Sequence, residues 1–219
     1  MSKKLWLLFI LPLFLFSCNN KKLNQENSQL KKNIRELKQT IHLIKQGNQH
    51  MQFLINQMEG VKARIVTNMG NIELSFFPKD APLTCFAFIT RAEGGFYNNT
   101  LFHRVIPGFM IQGGDPLTKT NDTALYGTGG PLVAIPHEFN KHKHVRGVLS
   151  MARVADVSKG AGSQFFIMHA DAPQLDGQYT VFGQVTKGLE VVDKIAGLKR
   201  NNRDMPLSPA RIEKIEVYR

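Results

Sequence analysis

Phe102-His103-Arg104-Val105-Ile106-Pro107-Gly108-Phe109-Met110-Ile111-Gln112-Gly113-Gly114-Asp115 is the stretch from which the fold can be read. Pro107-Gly108 marks a turn. On either side, Leu101 to Ile106 and Phe109 to Gln112 read as short strands, the second closed by Gly113-Gly114. The same texture extends outward from about Val61 to Arg219. Val61 to Thr67 and Ile72 to Phe77 are apolar-alternating runs around the turn Asn68-Met69-Gly70-Asn71, and Gly147 to Met151, Gln164 to Met168 and Thr180 to Gln184 are strand-like. Ile212, Ile215 and Val217 belong to a closing strand. Two helices are expected. One opens at Ala81-Pro82 and stops at Gly94-Gly95, with Cys85, Phe86 and Ile89 as its buried face; the other spans Leu189 to Leu198. Many short strands with few helices indicate a barrel or a sandwich.

Composition narrows the function classes. Hydrophobic residues make up 42% of the chain, enough for a packed core, and the formal charge is +11. Before Gly60 nine Lys and Arg face three acids, so the excess is concentrated at the amino-terminal end. A basic segment beside an apolar leader points to a membrane surface, and no nucleic-acid-binding signature accompanies it. Walker loops, nucleophile elbows and zinc-protease helices are absent. Gly127-Thr128-Gly129-Gly130 lacks the Lys and helix of a phosphate loop and reads as a turn. His137, Glu138, His142 and His144 lie close together on a Pro-bounded loop without a metal-ligand spacing, so no metal is expected. Cys85 reads as an inert core thiol.

The opening stretch resembles the signature of cyclophilins, residue for residue. Three further blocks follow in the family order: Gly147 to Ala152, Gly162 to Ile167, and Leu175-Asp176-Gly177 with Val181-Phe182-Gly183. The resemblance implies a mostly β fold, a closed eight-stranded antiparallel barrel capped by two helices, and rotation about X–Pro bonds without a cofactor. It implies Arg104 as the catalytic residue. Gln112 and Gln164 orient the arginine and the substrate backbone, while Phe109, Met110, Phe166 and Leu175 line a proline pocket. Ala152 and Arg153 sit where the residues before proline bind, with Tyr179 at the pocket mouth. Arg153, Gln174 and Tyr179 depart from the Asn, Trp and His common in eukaryotic members. His103 reads as structural, because the reaction has no proton to remove.

Residues 1–17 read as a signal peptide: Lys3 and Lys4 precede an apolar run from Leu5 to Phe16, too short to span a bilayer. Leu15-Phe16-Ser17-Cys18 resembles a bacterial lipobox, which implies a lipid on Cys18 and an anchor on the extracytoplasmic side of the envelope. Residues 18–60 carry a heptad pattern. Leu23, Leu30, Leu37, Ile44, Met51 and Met58 recur every seven residues, with Asn27, Ile34, Ile41, Asn48 and Ile55 four positions after each of the first five. This predicts a helical coiled-coil stalk able to pair two copies through residues 23–58. Residues 61–219 then form the cyclophilin-like domain. The expected partners are proline-containing polypeptides and a membrane, with no nucleic acid. An isomerase for exported proteins is the leading reading; a non-catalytic proline-peptide or scaffold module is the alternative.

Overall fold

The computed structural model describes the main chain of residues 7–219 and the side chains of residues 23–219. Lys3, Lys4 and the side chains of the leader and of Cys18 lie outside the described residues. The chain divides into two units, residues 1–52 and 53–219.

A single helix, α1 (Leu7–Met58), makes up the described part of the first unit and ends in the second. Side chains from Leu23 to His50 are all exposed. The heptad positions Leu23, Leu30, Leu37 and Ile44 are 55–60% exposed, so this apolar stripe faces water along its length. Among the described residues no helix is long and apolar enough to cross a membrane.

In the second unit the final turn of α1 buries Met58 and packs Leu54 against the core, and Gly60, at φ 75°, ends the helix. Then follow β1 (Lys62–Thr67), β2 (Gly70–Phe76), α2 (Pro82–Glu93), β3 (Thr100–Leu101), β4 (Arg104–Ile106), β5 (Met110–Gly113), β6 (Val148–Arg153), β7 (Ala161–Met168), β8 (Val181–Lys187), α3 (Leu189–Ala196) and β9 (Arg211–Tyr218). All nine strands join one antiparallel sheet in the order β3-β9-β1-β2-β8-β6-β7-β5-β4.

The sheet is open, and this corrects the expected closed eight-stranded barrel. Its end strands β3 and β4 do not pair with each other. The seam is crossed by the chain itself: Phe102 N–H donates to Ala210 O (2.9 Å), whereas the next residue, His103, donates to Gln112 O (3.0 Å). Adjacent amides thus serve opposite ends of the sheet. The run Leu101 to Ile106, which reads as one strand, is therefore split in two.

Strand alternation sorts the side chains. Ala63, Ile65, Ile72, Leu74 and Phe165 point into the main core, where Phe88, Tyr97, Phe102, Phe165 and Phe182 are almost fully buried. Phe88 meets Phe165 edge to face at 5.3 Å, and Tyr97 does so at 5.7 Å. The next residue along β7, Phe166, belongs to a second apolar cluster with Met110, Val148, Met168 and Val181. Helix α2 covers the main core with Cys85, Phe88, Ile89 and Ala92, while Phe86 is 42% exposed. A helical face continues at three- and four-residue steps from Cys85, which selects Phe88 and Ile89 over Phe86.

Helix α2 has no capping side chain at Ala81. A distant residue supplies the cap: the Glu138 carboxylate accepts from Leu83 N–H (3.0 Å), Thr84 N–H (2.8 Å) and Thr84 Oγ1 (2.7 Å). An anion here meets the positive end of the helix dipole. Glu138→Ala is expected to destabilise the protein by about 1–2 kcal/mol, read from urea unfolding. A change below about 0.5 kcal/mol, the range of an ordinary surface substitution, would show that water replaces the cap without cost.

Candidate functional site

Strand register builds the site. Arg104 lies opposite Gln112, Gln112 opposite Phe166, and Phe166 opposite Ser150. Directly paired residues share a face, so this row carries a cation, an amide and an aromatic ring on one side of the sheet. They line a cleft of about 490 Å³ together with Phe109, Met110, Ala152, Arg153, Leu175 and Tyr179. Phe109, Met110, Phe166 and Leu175 supply its apolar surface, and all four belong to the second apolar cluster.

Each wall is fixed from behind. Gly108, in the left-handed region at φ 73°, makes the turn into Phe109. Its N–H donates to His169 Nδ1 (2.8 Å), and Phe109 O accepts from the N–H groups of His169 and Ala170. On the opposite wall the Arg153 guanidinium stacks 4.7 Å from the Tyr179 ring centre, and its Nε donates to Gln178 O (2.9 Å). The Arg104 side chain is 43% exposed in the cleft, with Asp204 as its ionic partner at 3.6 Å from Nε.

The two glutamines form a relay. Gln112 Nε2 donates to Gln164 Oε1 (2.9 Å), and Gln164 Nε2 donates to Gly127 O (3.0 Å) and Gly129 O (2.8 Å). The loop bearing those carbonyls is held by the fully buried Asp115, which accepts from the N–H groups of Gly127, Gly129 and Leu117. A Cβ at Gly129 would collide with this carboxylate, so the glycine allows the close approach. Gly127-Thr128-Gly129-Gly130 is thus a turn pinned from inside, and it lines a second cleft of about 540 Å³ next to the first, shared with Gln112, Arg153 and Gln164.

A family model for the cyclophilin type peptidyl-prolyl cis-trans isomerases matches residues 62–217. The chain belongs to this family. A Helicobacter pylori peptidyl-prolyl cis-trans isomerase is 49% identical over 137 residues, covering 61% of this chain and 78% of that one. A Rhizopus delemar peptidyl-prolyl cis-trans isomerase-like 2 is 45% identical over 163 residues, 71% of this chain; the chain spans only 28% of that protein. A crystal structure of a Cryptosporidium parvum cyclophilin in the presence of the dipeptide Ala-Pro superposes with a TM-score of 0.66 at 32% identity, covering 72% of this chain and 99% of that one.

In this cyclophilin, Arg104, Phe109, Met110, Gln112, Ala152, Arg153, Phe166, Leu175 and Tyr179 all reach the main cleft. Gln164 reaches the adjoining cleft and acts on the first through Gln112. His103 lines the main cleft but is 94% buried, and neither ring nitrogen has a hydrogen-bond partner. Burial lowers its pKa, against the pull of Asp115. The sequence reading missed Thr123, Tyr126, Arg203 and Met205, which also line the cleft. They come from long polar loops, where no periodicity marks a side chain as facing a site.

The loop histidines are dispersed among separate tasks. His142 Nε2 lies 3.0 Å from Asp80 Oδ2, and the His137 ring stacks on Phe139. His144 is buried between Asp176 (Nδ1 to Oδ1, 3.1 Å) and Ser150 (Nε2 to Oγ, 3.1 Å). This serine–histidine–aspartate sequence resembles a hydrolytic triad, but Ser150 is fully buried and its one hydroxyl hydrogen is donated to Thr180 O. No substrate reaches it. Its place is behind the cleft, where the His144 ring contacts Phe166 and Tyr179. Cys85 is likewise inaccessible: burial pushes its thiol pKa up, and Sγ lies 3.3 Å from Phe182 O.

Burial holds His144 below the usual histidine value of 6.5 despite the opposing pull of Asp176, so the folded protein favours the neutral ring. The backbone N–H of His144, followed by Lys143, holds Asp176 down to about 2. The histidine contribution to stability is complete above pH 6.5 and is lost as pH falls from there through the lower folded value. The aspartate contribution is complete above its ordinary 3.8 and is lost towards pH 2. The urea midpoint is therefore expected to fall between pH 7.5 and 5.5, and to fall less in His144→Gln. An equal pH dependence in that variant would assign the effect to other groups.

Proposed function

We propose that this protein rotates X–Pro bonds in exported polypeptides by binding the twisted amide more tightly than either planar form. The observation that carries the reading is the cross-strand row Arg104–Gln112–Phe166, which sets a guanidinium beside an apolar, proline-sized surface. The barrier is about 18–20 kcal/mol and comes from amide resonance. As the bond twists, the prolyl nitrogen regains a lone pair that the planar amide lacks. A permanently charged donor aimed at that nitrogen stabilises only the twisted state, the condition for lowering the barrier. Phe109, Met110, Phe166 and Leu175 hold the ring, and Gln112, oriented by Gln164, holds the main chain. No proton, cofactor or covalent intermediate is needed.

A protease-coupled isomerisation assay on the full chain tests this. Arg104→Ala is expected to lower kcat/KM by roughly 10²–10³, the scale for removing one preorganised donor, with the unfolding midpoint nearly unchanged. A folded wild type without catalysis that still binds proline peptides would favour a proline-binding module instead.

We further propose that the domain works at a bacterial envelope, anchored by lipid on Cys18, and that residues 23–51 pair two copies, since Met58 is already buried in its own domain. The heptad stripe supports pairing, because Leu23, Leu30, Ile34, Leu37, Ile41 and Ile44 stay exposed on an isolated helix. In bacteria expressing the full chain, a clickable fatty acid is expected to label the wild type and leave Cys18→Ser unlabelled. Cross-linking in those membranes is expected to yield dimers that disappear in Leu30→Lys/Leu37→Lys. Equal labelling of Cys18→Ser would remove the anchor, and dimers persisting in the second variant would remove the coil.

A further inference from the structure

Asp204 lies in the loop between α3 and β9, outside every stretch that reads as functional from sequence. Its backbone is left-handed, at φ 60°, a conformation shared with only Asn99 among the described non-glycine residues. Such a residue costs about 1–2 kcal/mol and is tolerated best by Asp and Asn. Local bonds hold it there. Asp204 N–H donates to Asn201 O (3.0 Å), and Asn201 Oδ1 accepts from Arg203 N–H (2.9 Å) and Met205 N–H (3.1 Å).

This conformation lets one residue grip the reacting strand twice. The carbonyl of Asp204 accepts from Val105 N–H (2.9 Å), fixing the main chain of β4 immediately after Arg104. The carboxylate lies 3.6 Å from Arg104 Nε and 3.1 Å from Arg200 Nε. β4 is an end strand of the open sheet, so this loop supplies the restraint that a further strand would give. An arginine side chain carries about 2 kcal/mol of rotamer entropy, and a carboxylate on the Nε side restricts it. Among the described residues no hydrogen bond engages Nη1 or Nη2 of Arg104, which leaves both free for a substrate. Because Arg200 shares the carboxylate, two cations face one anion and the cluster keeps a net positive charge beside the cleft.

We propose that Asp204 is a positioning residue for Arg104: it sets the guanidinium plane from the Nε side and thereby favours the twisted amide. The proposal rests on Arg104 acting as the donor in isomerisation.

The test uses the full chain with Asp204→Asn, which keeps size and left-handed tolerance, and Asp204→Gly, which also relieves the backbone. Both are expected to lower kcat about tenfold with KM within about twofold, the pattern of an interaction made only in the transition state. Thermal stability separates this from a loop staple, since Asp204→Gly should unfold no earlier than wild type while losing activity. In an Arg104→Lys background, which has no guanidinium to orient, Asp204→Asn should cost less than about twofold. Wild-type kcat in Asp204→Asn, or an equal loss in the Arg104→Lys background, would overturn the proposal. If Asp204→Asn fails while Arg104→Ala still abolishes catalysis, only the positioning role falls. If Arg104→Ala retains activity, the donor mechanism falls with it.

Discussion

The antiparallel register across β4, β5, β7 and β6 is the constraint on which the site depends. It places Arg104, Gln112, Phe166 and Ser150 in one row, and side chains alternate faces along each strand. A slip of one residue would exchange Phe166 with Phe165, moving a cleft ring into the core and a core ring into the cleft. Packing forbids that exchange, because Phe165 sits among Phe88, Tyr97 and Phe102 in edge-to-face contacts. The aromatic core thus holds the cleft residues in alignment from the other side of the sheet.

Buried polar groups finish what the register begins. Asp115 holds the Gly127–Gly129 turn, the turn orients Gln164, and Gln164 orients Gln112. Asp176 and Ser150 hold His144 against Phe166 and Tyr179. These networks are expensive to leave half-made in a low-dielectric interior, and that cost is what makes them specify a single geometry. His103 is an exception, as is Nε2 of His137: the His103 ring is buried at the rim of the cleft with both nitrogens unpaired. The burial that lowers its pKa favours a neutral ring beside Arg104.

The amino-terminal helix follows a different logic. Its residues from Leu23 to His50 are exposed, so its apolar stripe is uncovered among the described residues, and local pairs such as Gln29 with Asn33 are its visible side-chain support. Helices of this kind derive most of their stability from a packed face, and among the described residues that face is unfilled.

What the sequence determined by itself was everything carried by local spacing. The Asn68-Met69 and Pro107-Gly108 turns, the period-two runs and the α2 and α3 segments were legible, because turn chemistry and alternation act over a few residues. The cleft residues, by contrast, were named only through the family resemblance, and Thr123, Tyr126, Arg203 and Met205 not at all. Tertiary structure alone decided the break at Phe102 and His103, since an amide's partner on a sheet more than a hundred residues away along the chain leaves no trace in local alternation. It also decided that Glu138 caps α2, that Asp115 supports the glycine turn and that Asp204 grips Arg104. A lone acid on a polar loop looks like any solvated charge until folding brings a donor within three to four ångströms of it. Only the folded chain holds the two groups at that distance and, where they are buried as at Asp115, removes the water that would otherwise satisfy them.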